Sequence, residues 1–321
     1  MMRIIAIYIV CIVSLFFLPL LTVRQMSQKL GMENQHIEKI KLLHTETGEI
    51  KELDFDAYIM GVLVGEMPVD YELEALKAQA VVARTYALNK MMKNDEIHKD
   101  ADMCDDINHC QAYKTQEYAL KCWDDKVENE KWNKIKRAVL ETKNEVITYQ
   151  GSLINAFFHA NSGGRTEDIS NIWGHEDIPY LKSVESEKNN IKIEQTSIDI
   201  LNINSIMKDK YADYIPIEIS GEKNIEHKIK ILEKNSSGRI DKIQISNILL
   251  DGTEMRTLFK LRSTMIDIKF EGNTVLFETR GYGHGIGLSQ DGANEMASNG
   301  LDYKSIIKNY YIGVEINTRT E

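Results

Sequence analysis

The sequence predicts an α+β protein: a mixed α/β core with an inserted or second smaller lobe, carried outside the cytoplasm on an N-terminal membrane anchor. Three observations lead there. Ile4 to Thr22 is a run of 19 residues without a charge. A long helical periodicity after residue 70 is flanked by segments that alternate like strands. Residues 186–260 are rich in Ile, Asn and Lys and carry no chemical motif, which reads as the lobe. The 321 residues allow one large domain or two smaller ones.

The elements follow in chain order. Nineteen residues at about 1.5 Å each span a bilayer core of roughly 30 Å. A cleaved signal peptide has a shorter apolar core and a small-residue cleavage site, and the run ends instead in Leu20-Leu21-Thr22-Val23-Arg24. Residues 1–24 are therefore expected to be an anchor, 25–43 a polar stalk, and 44–317 the exported body. Basic residues on the two sides of the run nearly balance, so charge alone does not set its orientation. His44 to Leu53, around Thr47-Gly48, reads as a hairpin. Asp54 to Glu66 reads as a helix that stops before Pro68. Asp70 is a fitting N-cap for the next helix, in which Leu73, Leu76, Ala80, Ala83, Ala87 and Met91 recur at helical spacing to about Met92. A helix over Glu130–Thr142, paired strands over Glu145–His159 turning at Gln150-Gly151, and a hairpin over Ile266–Arg280 follow. Gly281-Tyr282-Gly283-His284-Gly285-Ile286-Gly287 is a tight glycine loop, and a final helix and strand close the chain.

The formal net charge of −10 argues against a nucleic-acid partner, since phosphates need a concentrated basic surface. With Arg3 and Arg24 set aside, the exported part carries about −12, which suits a soluble ectodomain rather than one lying on anionic lipid. There is no P-loop, no H-E-x-x-H, no dinucleotide fingerprint and no G-x-S-x-G elbow.

Four places could carry chemistry. Glu66 ends a predicted apolar helix. Desolvation and the negative helix end both favour its protonated form, as a general acid requires, unless it simply points into solvent. Arg84, amid Ala and Val, is either a snorkelling charge or a buried anchor for an anion or carboxylate. His98, Cys104, His109 and Cys110 offer a ligand set that suits tetrahedral zinc. The competing readings are a Cys104–Cys110 disulfide, free thiols, or the centre of a zinc peptidase or amidase. Four protein ligands would leave no open position and make the site structural. His159-Ala160-Asn161-Ser162-Gly163-Gly164-Arg165-Thr166 and the loop with His284 are polar, glycine-rich segments of the kind that line grooves.

Taken together these segments resemble the stage II sporulation protein D family. Gly65-Glu66-Met67-Pro68, Glu74-Ala75-Leu76-Lys77-Ala78-Gln79-Ala80 and Ala83-Arg84-Thr85-Tyr86-Ala87 match its opening. Ser162-Gly163-Gly164-Arg165-Thr166, Trp173-Gly174 and Pro179-Tyr180-Leu181 match its middle. Gly281 through Gln290 with Gly292-Ala293 match its end. The resemblance covers about residues 45–317. It implies a peptidoglycan lytic transglycosylase of forespore engulfment. Such an enzyme cleaves the N-acetylmuramic acid–N-acetylglucosamine bond of strands stripped of stem peptides. It also implies stage II sporulation proteins P and M as partners and a place between the mother-cell and forespore membranes. The family's catalytic glutamate falls on Glu66 and its essential arginine on Arg84. Some clostridial members hold zinc at positions like His98, Cys104, His109 and Cys110. Arg84, Gln111, Tyr113, Ser162, Gly163, Tyr282 and His284 are expected to line the groove, with Ser162 hydrogen-bonded to Glu66. No diffusible cofactor is expected. The rival reading is a non-catalytic scaffold that binds glycan and recruits or activates a partner amidase.

Overall fold

The computed structural model describes residues 37–93, 98, 100–123, 128–172, 177–219 and 222–319. The expected anchor, the stalk before residue 37 and the Trp173-Gly174 part of the middle motif lie outside them. Among the described residues no helix is long and apolar enough to cross a membrane.

Strands β1 (Lys39–Leu43) and β2 (Ile50–Asp54) form the predicted hairpin, with Lys39 opposite Asp54. It reaches back into the segment expected to be a stalk, because Ile40 and Leu42 are apolar at alternate positions and both are buried. Helix α1 (Phe55–Glu66) starts where Asp54 accepts a hydrogen bond from the Ala57 amide at 2.9 Å. It ends because Met67 precedes Pro68 and is extended, as residues before proline tend to be. Helix α2 (Leu73–Lys93) is the central element, with Ala75, Leu76, Ala78 and Ala80 through Ala83 all buried. Its small residues let other elements approach from several sides. It starts at Leu73, and Asp70 does not cap it: its carboxylate pairs with Lys131 at 3.2 Å.

Strand β3 (Met103–Cys104) lies parallel to β1. Helices α3 (Gln116–Cys122) and α4 (Glu128–Leu140) follow, then β4 (Glu145–Tyr149), β5 (Ser152–Leu153) and β6 (Phe158–His159). The lobe contains β7 (Ile193–Asp199), α5 (Ile200–Lys210), α6 (Glu222–Lys228), β8 (Ile229–Lys234), β9 (Ile240–Ile245), β10 (Ile248–Asp251) and α7 (Gly252–Leu258). It also contains β11 (Ile266–Glu271) and β12 (Thr274–Arg280). β7 pairs with β12 along its whole length, from Ile193–Arg280 to Asp199–Thr274. The hairpin over 266–280 therefore belongs to the lobe, which is wider than the expected 186–260. A second hydrophobic cluster from Ile200 to Phe277 holds it together. The chain returns to the first core with β13 (Leu288–Ser289), parallel to β6, then α8 (Gln290–Ser298), α9 (Tyr303–Tyr310) and β14 (Glu315–Thr318) beside β4. Two closing helices stand where one was expected.

Candidate active site

Glu66 sits at the last position of α1, half-buried. The loop carrying Cys110 to Lys114 lies along the same helix. Gly61 and Gly65, four residues apart, share the face it covers. A Cβ on Gly61 would meet the Tyr113 ring at 2.2 Å, and one on Gly65 would meet the Ala112 carbonyl at 2.9 Å. Only a helix without side chains there admits the loop. Its close approach lets the Ala112 amide donate to Glu66 Oε1 at 2.6 Å and the Lys114 amide to the Gly61 carbonyl at 3.1 Å. Burial raises the Glu66 carboxyl above its ordinary value, and the Ala112 amide and the Gln290 side chain oppose part of that rise. The expected direction holds, with desolvation as its main cause. Gln290 opens α8, whose cap is Ser289. Its side-chain amide is buried beside the Glu66 carboxyl. In the sequence Gln290 stands out only as part of a motif; its place beside Glu66 comes from a strand pairing, β13 on β6, that no local pattern announces.

Gln111 and Tyr113 are on the same loop. Gln111 is buried and its amide reaches Tyr58 Oη at 3.3 Å and the Ala83 carbonyl at 3.4 Å. The Tyr113 ring stacks on Tyr58 at 5.8 Å between centroids. Arg84 does not join them at a surface. It is 2% exposed and donates to the Glu145 and Val139 carbonyls, each at 3.3 Å, with Asp56 at 3.8 Å. This is the buried-anchor alternative, tying α2 to α1, α4 and β4, and it corrects the expectation that Arg84 lines a groove.

The strap from His159 to Thr166 pairs with the glycine loop. Asn161 and Tyr282 exchange backbone hydrogen bonds at 3.0 and 2.7 Å. Ser162 is fully buried and donates to Glu187 Oε1 at 2.8 Å, not to Glu66. The same oxygen accepts the Gly163 amide at 2.9 Å, while Ser186 and Ser289 donate to Oε2 at 2.6 and 2.9 Å. Arg239, 1% exposed, reaches in from the lobe to the Ser162 carbonyl at 2.6 Å and the Arg165 carbonyl at 3.0 Å. Sequence reasoning missed both Glu187 and Arg239, which lie in the stretch judged to carry no motif. Tyr282 is 43% exposed, and the Arg262 guanidinium lies over its ring at 4.5 Å. The His284 ring, beside Phe157 and His159, accepts the Ile286 amide on Nδ1 at 3.0 Å. Burial and the nearby Arg256 charge push its pKa down to about 4, so it is neutral at pH 7.

His98, Cys104, His109 and Cys110 do converge: their ligand atoms all lie within 4.8 Å of one another. His98 Nε2 is 3.3 Å from Cys110 Sγ, and His109 Nδ1 is 3.7 and 3.5 Å from the Cys104 and Cys110 sulfurs. Zinc bonds of about 2.3 Å to sulfur and 2.0–2.1 Å to nitrogen, opened to a tetrahedral angle, separate S and N by about 3.5 Å. The residues present thus fit such an ion. Both thiols are free, so the Cys104–Cys110 disulfide is not formed. Two residues beyond Cys110 is Ala112, whose amide meets Glu66, so whatever fixes the cluster also fixes that donor.

The family pattern of stage II sporulation proteins matches residues 44–149, the stretch holding Glu66 and the His/Cys cluster. Over most of its length the chain is similar to stage II sporulation protein D of Bacillus amyloliquefaciens, with 31% identity across 87% of this chain and 78% of the relative. Stage II sporulation protein D of Bacillus subtilis gives the same figures. An amidase enhancer of Bacillus subtilis is 28% identical over 81% of this chain and 40% of its own length.

Proposed function

The chain belongs to the stage II sporulation protein D family and so has a role in sporulation; from that premise we propose that it is a peptidoglycan lytic transglycosylase acting on denuded glycan strands. The observation that carries the proposal is Glu66: a half-buried carboxyl that burial holds toward its protonated form, with the Ala112 amide donating to it at 2.6 Å. Hydrolases of glycosidic bonds place two carboxylates about the scissile bond, one of them for water or for attack. One carboxyl suffices if the substrate supplies its own nucleophile. Glu66 protonates the bridging oxygen as the bond to C1 breaks. The resulting carboxylate then takes the proton of the muramic acid 6-hydroxyl, whose oxygen closes on C1 and leaves a 1,6-anhydro end. The Ala112 amide and Gln290 stabilise the carboxylate that exists between the two proton transfers. Arg84 serves as a positioning residue, holding α2 against α4 and β4 through the Val139 and Glu145 carbonyls and toward α1 through Asp56.

His98, Cys104, His109 and Cys110 would hold a structural zinc ion, whose four protein ligands leave it no part in the chemistry. Its role is to fix the loop that carries Ala112, Gln111 and Tyr113 against α1. Anchoring through residues 1–24, action outside the cytoplasm between the mother-cell and forespore membranes, and work with stage II sporulation proteins P and M belong to the same proposal.

A relative whose name is amidase enhancer favours a second reading, a scaffold that binds glycan and activates a partner amidase without cutting. Digestion of denuded strands by the purified full chain, with mass spectrometry of the products, separates the two. Anhydro-muramic ends that vanish in Glu66→Gln support the transglycosylase. Reducing ends would mean a hydrolase, and intact strands would mean the scaffold.

A further inference from the structure

The lobe contributes a cavity of about 510 Å³ that the catalytic proposal does not use. Its lining includes Arg256, Lys260, Arg262 and Glu194 from the lobe, with Asn108 from the metal-cluster loop and Tyr282 from the glycine loop. The three cations are gathered by one turn. The Leu261 amide donates to the Arg256 carbonyl at 2.9 Å and the Lys260 amide to the Thr257 carbonyl at 3.3 Å, with Lys260 left-handed at φ 53°. This is the double hydrogen bond that closes a helix C-terminus, here α7. Buried Phe259 and Leu261 pin the turn to the lobe core. Arg262 is paired with Glu194. Arg256 is half-buried, gives Nε to the Leu261 carbonyl at 3.3 Å and has no carboxylate partner among the described residues. A site with three cations and one committed anion, in a chain of net charge −10, is built for an anionic group.

The cavity and Glu66 are joined by one short stretch of chain. Asn108 is four residues from Ala112, the donor to Glu66, and four residues reach at most about 14 Å. The partner is therefore a substituent carried within a few sugars of the cut. Resting on the transglycosylase reading, we propose that Arg256 and Lys260 receive the free lactyl carboxylate of a muramic acid residue from which the stem peptide has been removed, with exposed Tyr282 against the sugar. Cutting the lactyl amide leaves one such carboxylate on each muramic residue. A strand that keeps its peptides carries a neutral amide and bulk there, and N-acetylglucosamine carries neither. The cavity would thus be the element that reads a strand as denuded.

The test is binding, measured by calorimetry with the full chain carrying Glu66→Gln to stop turnover. The ligands are denuded glycan oligosaccharides and chito-oligosaccharides of equal length. The denuded strand should bind about tenfold more tightly at low salt, as expected for a charge-assisted pair. Arg256→Gln with Lys260→Gln should bring the ratio to about one. Lys260→Gln alone, at an exposed position that burdens folding least, should lower it part-way. A ratio unchanged in the folded double variant, or equal binding of both ligands to the parent, would overturn the proposal. So would carboxyl-amidated strands that bind as well as free ones while inorganic phosphate competes, which would assign the cavity to phosphate. Product analysis of the unaltered chain stays a separate readout. Strands bound with the predicted ratio but left intact would sink the transglycosylase and keep the pocket, whereas anhydro ends formed without the ratio would do the reverse.

Discussion

Glu66 and Glu187 are both carboxylates withdrawn from water, and their surroundings are opposite. Glu66 accepts one backbone amide and lies beside a glutamine. Glu187 accepts from Ser162, Gly163, Ser186 and Ser289. A carboxylate starved of donors favours its proton and can deliver it. One saturated with donors knots separate chain segments into a fixed shape. Under the transglycosylase proposal that difference gives Glu66 the proton transfers and Glu187 a structural part, which residue type and burial alone would not do.

The largest expected effect tests the first half of that contrast. Glu66→Gln keeps the shape and an acceptor for the Ala112 amide but has no proton to give, so the rate of anhydro-end formation should fall by about 10²–10⁴. Binding of denuded strands should persist. In the unaltered chain, activity should fall as pH rises through the raised Glu66 value, because the acid must begin protonated. Residual turnover in Glu66→Gln above a tenth of the parent rate would move the acid elsewhere.

Glu187→Gln tests the second half. It turns an oxygen that accepts several donors into an amide that presents its own donor to some of them. Leaving buried polar groups in that state costs roughly 3 kcal/mol. Denaturant unfolding should show that loss, with turnover per folded molecule changed much less than in Glu66→Gln. If activity vanishes while stability is unmoved, Glu187 is part of the chemistry and the contrast collapses.

Cys104→Ser should act on the donor that Glu66 does have. Metal analysis of the parent should find about one zinc per chain, and the variant should have lost it, since closed four-ligand sites couple metal binding to folding. Melting should drop by several degrees, with activity reduced through the misplaced Ala112 amide rather than abolished. Unchanged metal content and melting in the variant would detach the cluster from the site.

How far each feature could be read in advance follows from the sequence distance of its partners. His98, Cys104, His109 and Cys110 are close along the chain, so their spacing alone proposed the site. Glu66 and the end of its helix were legible from an apolar run and Pro68. Glu187 and Arg239 were not, because their partners lie at Ser162, Ser289 and Arg165, remote in sequence and joined only by the return of the chain through β13. Ser162, expected to line a groove and to bond Glu66, is fully buried and bonds Glu187 for the same reason. Gly61 gave no signal either, since the Tyr113 ring it admits comes from a loop more than fifty residues away. The lobe was legible as a separate unit, but its extent was not: β7 and β12 show that they pair only once register is known.

The smallest effect sharpens the contrast most directly, because it reads the proton on Glu66 without any substrate. The folded-state value of this carboxyl is raised above the ordinary 4.5. Between the two values the folded chain holds a proton that the unfolded chain has released. Stability from this group is therefore complete below the ordinary value and is lost as pH rises through the raised one. Glutamine mimics the protonated form at every pH. The melting temperature of Glu66→Gln should match the parent near pH 4, exceed it increasingly as pH rises, and level off once the parent carboxyl is fully ionised. Turnover in the parent should fall over the same interval. A difference that stays flat with pH would mean that Glu66 titrates alike in the folded and unfolded chain. Glu66 would then keep its proton to no higher pH than a carboxyl in water.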